Sequence, residues 1–92
     1  MNISSVQAVI LDCIAEYNKQ LGPNEQIEVS SDTVIVGEGG GLDSLTIITL
    51  LVSIETALAD KLGIQRQLLD EQLLADPSGP LRNVAALTAW LA

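Results

Sequence analysis

The chain contains no histidine, and Cys13 is its single cysteine in 92 residues. Without histidine the usual Ser-His-Asp and Cys-His relays have no base. Zinc sites built from histidine and cysteine have too few ligands. One cysteine cannot staple the fold from within, so a reducing compartment is the simpler expectation. Aromatic side chains are nearly as scarce: one Trp, one Tyr and no Phe. Since 48% of residues are hydrophobic, the core must be aliphatic, and the composition is far from that of a disordered chain. Positive charge is the third shortage. Four Lys and Arg stand against twelve Asp and Glu, for a net charge of −8. Nucleic acids and anionic membranes both call for a cationic footprint, so neither is an expected partner. The charge favours solubility and basic partner surfaces. The longest apolar stretch, around Leu45–Ile54, is too short to span a bilayer. Met1–Ser5 lack the basic start and apolar run of a signal peptide. The expectation is one domain over 1–92, monomeric, cytoplasmic and without membrane insertion.

What is present is helical periodicity. Ile3, Val6, Ile10, Cys13, Ile14, Tyr17 and Leu21 recur three or four residues apart and predict a first amphipathic helix. Ser4 or Ser5 is placed to cap its start, and Gly22-Pro23 to stop it. Cys13 falls on the apolar stripe and reads as a small buried hydrophobe. Asn24 to Asp43 forms a long connection. Its segment IEVSSDTVIV has strand character but no second convincing strand to pair with. Connections of this length inside small domains are often functional. The glycines Gly37, Gly39, Gly40 and Gly41 permit a sharp turn before the next element. Glu38 among them reads as solvated.

A second helix is predicted from Ser44 to about Lys61, with Gly63 just beyond its end. Ile47, Leu51, Ile54 and Leu58 share one side of its wheel. Thr46, Thr49, Ser53, Thr56 and Asp60 share the other, and Leu50, Val52, Ala57 and Ala59 fill the flanks. A helix so apolar around its circumference is expected at the centre of the core. A short third helix is predicted to start near Asp70, whose carboxylate can cap it. DPSGP is a turn cluster. Asn83 caps a last helix with Val84, Leu87, Trp90 and Leu91 on its apolar face. The fold class expected is all-α: a four-helix bundle of three longer helices and one short one.

The junction GEGGGLDSL is where chemistry is to be sought. A phosphate loop of the Walker type needs a lysine, and none is near. A dinucleotide fingerprint needs a further glycine and a longer chain. A nucleophile elbow needs Gly-x-Ser-x-Gly and a base. Nothing in the chain pairs an acid with a base, so intrinsic catalysis is not expected. Ser44 is better placed as a site of modification. It opens a helix, where unpaired N–H groups and the positive end of the dipole favour an attached phosphate by roughly 0.3–1 kcal/mol. From its position alone, capping of the helix by Asp43 or Ser44 stands as the competing reading.

Gly41-Leu42-Asp43-Ser44-Leu45 resembles the attachment motif of acyl carrier proteins, in which a Gly-x-Asp-Ser-Leu run opens the second of four helices. The resemblance extends to the preceding DTVIVGEGG, the helix LTIITLLVSIETALADKLG and the terminal GPLRNVAALTAWL, covering most of Asp32 to Leu91. It implies an acyl-carrier-like four-helix bundle that is not an enzyme. A phosphopantetheinyl transferase would place a 4'-phosphopantetheine arm from coenzyme A on Ser44, beside Asp43 of the motif. The arm's thiol would carry acyl intermediates as thioesters for acyl-loading and acyl-processing enzymes. The setting would be fatty-acid, polyketide or specialised lipid and secondary-metabolite biosynthesis. Asp43 would cap the helix or help orient the transferase's metal. The thiol is then the cofactor's and not that of Cys13, and tethering raises the local concentration of cargo.

Carriers of fatty-acid synthesis are expected to bear acids along the exposed face of this second helix. Here the matching positions are Thr46, Thr49 and Thr56, while Glu55 and Asp60 remain. Glu55 falls beside the apolar face, partly shielded or reaching outward. Partners are therefore expected to read Leu42, Leu45, Thr46, Thr49 and Glu55, together with the short third helix, more than long-range charge. An interior of Ile47, Leu51, Ile54, Leu58 and Leu73 can either shelter an acyl chain or simply pack. Two alternatives stay open: a peptidyl or aminoacyl carrier, and an unmodified helical interaction module.

Overall fold

A computed structural model describes residues 3–36, 42–76 and 78–92. The glycine run on which the sharp turn is expected, with Glu38, lies outside the described residues. Within them the chain forms four helices and no strand: α1 Ile3–Asn18, α2 Ser44–Leu62, α3 Glu71–Ala75 and α4 Val84–Leu91. The arrangement is that of a small helical bundle.

In α1 the middle of the expected stripe is buried: Val6, Ile10, Cys13 and Ile14 point inward, joined by Val9, with Tyr17 half-buried, whereas Ile3 is exposed and Leu21 lies beyond the end of the helix. The helix already includes Ser4 and Ser5, which therefore do not cap it from outside. It also ends at Asn18, before Gly22-Pro23. Two side chains explain the early stop. Asn18 is buried and exchanges two hydrogen bonds with the backbone of Ile27, each 2.7 Å long. The Gln26 amide nitrogen donates to the carbonyls of Asn18, Leu21 and Gly22. The last turn meanwhile tightens into three-residue bonds, Gln20 N–H to Tyr17 O and Leu21 N–H to Asn18 O. The orphan carbonyls of the helix end are thus satisfied by this tight turn, with the returning Gln26 adding a bond at Asn18 O, and not by continued α-helix.

α2 follows its expected bounds closely. Gly63 takes φ 68°, the left-handed region that side chains resist. Its N–H donates to Ala59 O, and the Ile64 N–H reaches Leu58 O. Leu50, Leu51, Ile54 and Leu58 are buried, but the helix is not the centre of the core. That place belongs to α1, which packs against both α2 and α4. α2 instead keeps Leu45 (73% exposed), Ile48 (43%) and Val52 (44%) on an outer face. Their spacing of three and four residues makes them one stripe. A helix apolar on two faces was indistinguishable, from the wheel, from one buried all round.

The connections complete the core. Ile35, Leu68 and Leu81, none of them helical, are buried in it. The strand-like segment finds its partner in the chain entering α4. Val34 and Asn83 form an isolated antiparallel bridge. Around it, Val36 N–H donates to Leu81 O (2.9 Å) and Val84 N–H to Thr33 O (3.1 Å). Asn83 also caps α4, its Oδ1 accepting from Ala86 N–H at 2.7 Å. Asp70 caps α3 as expected, accepting from the N–H groups of Gln72 and Leu73. No residue of α3 is buried, though Leu73 and Leu74 lean on the core. Trp90 is half-buried, with the Arg66 guanidinium 4.3 Å from its ring centroid. Each fully buried Leu or Ile contributes roughly 1.5–3 kcal/mol. The aliphatic interior therefore supplies the driving force that the missing aromatics do not.

Candidate functional site

The start of α2 is built by Asp43. Its backbone is extended (φ −81°, ψ 170°), so its side chain can fold back over the first turn. The carboxylate accepts from Thr46 N–H at 2.8 Å, and the Asp43 carbonyl accepts from Ile47 N–H at 3.0 Å. The first contact satisfies one of the helix's orphan donors, and the second is its first regular intrahelical bond. The Thr46 N–H holds the Asp43 carboxyl below its usual range, with help from the Thr46 hydroxyl. Leu42 and Ile47 are both half-buried against the core. They occupy the two positions of a hydrophobic staple, fixing the angle at which the chain enters the helix.

Ser44 is the first residue of α2 and is exposed to solvent. Because Asp43 does the capping, the serine hydroxyl is not needed for it. Of the two residues expected as candidate caps, Asp43 is the one that caps. Ser44 stands at the positive end of a nineteen-residue helix.

The other residues expected on the recognition face are distributed unevenly. Leu45 projects into solvent. Thr46 is half-buried, its hydroxyl 3.4 Å from that of Tyr17 on α1. Thr49 turns its hydroxyl back to Leu45 O at 2.8 Å. Leu42 leans inward. Glu55 is half-buried: its Oε1 accepts from the backbone N–H of Leu68 and, at 3.2 Å, from that of Leu69. The carboxylate that was expected to be shielded or to reach outward thus anchors the α2–α3 connection. Wheel geometry gave Glu55 its place beside the apolar face but could not show which amides would come to meet it. The exposed apolar neighbours of Leu45 are Ile48 and Val52, which the sequence reading did not assign to this face.

A groove of about 800 Å³ lies beside this helix start. One wall is α2 and the residues leading into it, Leu42, Asp43, Leu45 and Thr46. The other comes from the end of α1 and the long connection, including Tyr17, Ile27 and Val34. Its existence depends on where the connection docks, which no local pattern in the sequence encodes. A smaller cavity of about 280 Å³ lies between α1 and α2 over Cys13, Thr49, Ser53 and Lys61. Burial pushes the Cys13 thiol up from its ordinary value, outweighing the opposing pull of Lys61. That favours the protonated thiol over the thiolate. Among the described residues no group of three or more acidic or cysteine side chains is arranged to hold a metal ion. No helix among them is long and apolar enough to cross a membrane.

No family model, no curated protein and no solved structure matches the chain.

Proposed function

We propose that the chain is a carrier protein, holding acyl groups as thioesters on a 4'-phosphopantetheine arm joined to Ser44. The observation that carries this reading is an exposed serine, relieved of capping duty by its neighbour, at the first position of a long helix within the run Gly41-Leu42-Asp43-Ser44-Leu45.

The residues present fit such a group. Ser44 supplies an accessible hydroxyl for a phosphodiester, and the helix start supplies a positive field for its charge. Asp43 fixes the backbone of the first turn, so Ser44 is held at the exposed start of the helix. During attachment the Ser44 Oγ–phosphorus bond forms as the pyrophosphate link of coenzyme A breaks, the nucleotide half departs, and the hydroxyl proton passes to a base on the transferase. Once bound, the arm supplies the thiol that the chain's buried Cys13 does not.

Partner enzymes would meet the outer stripe of α2. With Leu45, Ile48 and Val52 exposed and Glu55 turned inward, that face offers apolar contact and hydroxyls more than charge. This favours a specialised pathway over exchange with general fatty-acid elongation enzymes, which are expected to grip acidic carriers through basic patches. The same stripe also supports a second reading, an unmodified interaction module that docks a partner through α2.

Intact-mass spectrometry after co-expression with a broad-specificity phosphopantetheinyl transferase separates the two. The carrier reading expects the mass of one arm on the native chain and none on Ser44→Ala. An unmodified native chain with several competent transferases would falsify it. Efficient extension by the general elongation enzymes would leave the carrier intact but remove the specialised pathway.

A further inference from the structure

The groove beside α2 has no role in the attachment of an arm, and the attachment reading does not require it. Its walls nevertheless bracket the attachment position: Leu42 and Asp43 precede Ser44, and Leu45 and Thr46 follow it. We infer that this groove is where a Ser44-linked arm lies when no partner enzyme is engaged, along the end of α1 and the long connection. The inference rests on the carrier reading above.

Three features of the groove match the arm's chemistry. The first is size: about 800 Å³ falls within the roughly 300–1,000 Å³ of sites that hold organic ligands. The second is the composition of its lining. The apolar side chains of Leu42, Leu45 and Val34 suit the gem-dimethyl carbon of the arm, and the carboxylates of Glu25, Glu28 and Asp32 can accept from the N–H groups of its two amides. The third is fixed geometry. The Tyr17–Thr46 hydroxyl pair ties the α1 wall to the α2 wall, and the bonds of Asn18 and Gln26 hold the start of the connection to α1.

The interior offers the arm less. Leu51, Ile54, Leu58 and Leu68 are already fully buried against one another, so an inward path between α2 and α3 must first displace packed side chains. The groove requires no such rearrangement. The anionic phosphodiester stays at the helix start, where the positive end of the α2 dipole opposes the repulsion of the adjacent Asp43 carboxylate.

The test compares ¹⁵N-labelled chain before and after arm transfer, with intact mass confirming the transfer. Amide shifts are expected at Ile27, Thr33 and Val34, several-fold larger than at Leu68 and Leu73. Nuclear Overhauser contacts are expected from the gem-dimethyl protons to the methyls of Val34 and Leu42. Val34→Trp, a change at an exposed side chain, should fill the groove, leave the mass gain intact and abolish these shifts. The wild-type comparison stands alone if that variant does not fold. Mass gain with shifts confined to residues 43–47, or centred on Leu68 and Leu73, overturns the groove and leaves the carrier reading standing. Absence of mass gain overturns both.

Discussion

Replacing Glu55 with alanine removes the carboxylate that receives the backbone N–H groups of Leu68 and Leu69. The connection it anchors carries Leu68, whose side chain is fully buried. A hydrogen bond to a charged acceptor is worth about 1.5–3 kcal/mol net, and a buried amide left without a partner loses a comparable amount. The Leu69 bond is longer and adds less, and water can reach part of the site. The expected loss for Glu55→Ala is therefore about 2 kcal/mol, within that range and not its double. At this chain length it lowers Tm by roughly 4–8 °C per kcal/mol. Glu55→Gln keeps one acceptor oxygen without the charge, and a neutral bond is worth about 0.5–1.5 kcal/mol, so its loss should be about half as large. Urea denaturation followed by far-UV circular dichroism gives both values. Hydrogen exchange adds the local readout: the Leu68 amide should lose protection in Glu55→Ala by more than the global change requires. If alanine costs under 0.5 kcal/mol and the Leu68 amide stays protected, the anchoring argument is wrong.

Three further outcomes follow from the geometry. Gly63→Ala meets no neighbouring atom but must hold a φ of 68°, so it should cost about 1–2 kcal/mol, read by the same denaturation curve. Leu51→Ala should cost about 2–5 kcal/mol because the side chain is fully buried, whereas Leu45→Ala, mostly exposed, should change stability by under about 0.5 kcal/mol; equal losses would contradict the assignment of faces on α2. The Asp43 carboxyl is held below its ordinary value in the folded chain. Its contribution is therefore complete above the unfolded value and fades as pH falls through the lower folded one. The Thr46 amide signal should report fraying of the first turn of α2 at a pH below the ordinary carboxyl range in the native chain but not in Asp43→Asn, whose amide oxygen caps without titrating.

The helices themselves were written plainly in the chain. Asp43, Asp70 and Asn83 each sit one residue before a helix and each cap it, and Gly63 ends α2 where a left-handed residue was needed. These signals are local: a side chain and an amide two or three residues away. What was not legible depends on distant partners. Asn18 ends α1 because Ile27 returns to it, and Gly22-Pro23 is reached too late to matter. Ile35, Leu68 and Leu81 enter the core from connections, where no periodicity marks them. Val34 finds its bridge at Asn83, far along the chain, and not in a neighbouring strand. For the site, the position of Ser44 at the opening of α2 was legible. The inward turn of Glu55, the outer stripe of Ile48 and Val52, and the groove were not. The stripe depends on which side of α2 meets α1, and the other two on where the connections dock against α2.

The stacking of Arg66 on Trp90 gives the chain a built-in optical gauge. Trp90 is the sole tryptophan, so its emission belongs to one place: the seam where the α2–α3 connection lies over α4. A cation 4.3 Å from the indole centroid perturbs the excited state, and its departure changes intensity and wavelength with no label attached. Loosening of that seam, whether by a variant or by a docking protein, can therefore be watched in real time at nanomolar to micromolar concentrations, while the helices elsewhere stay silent.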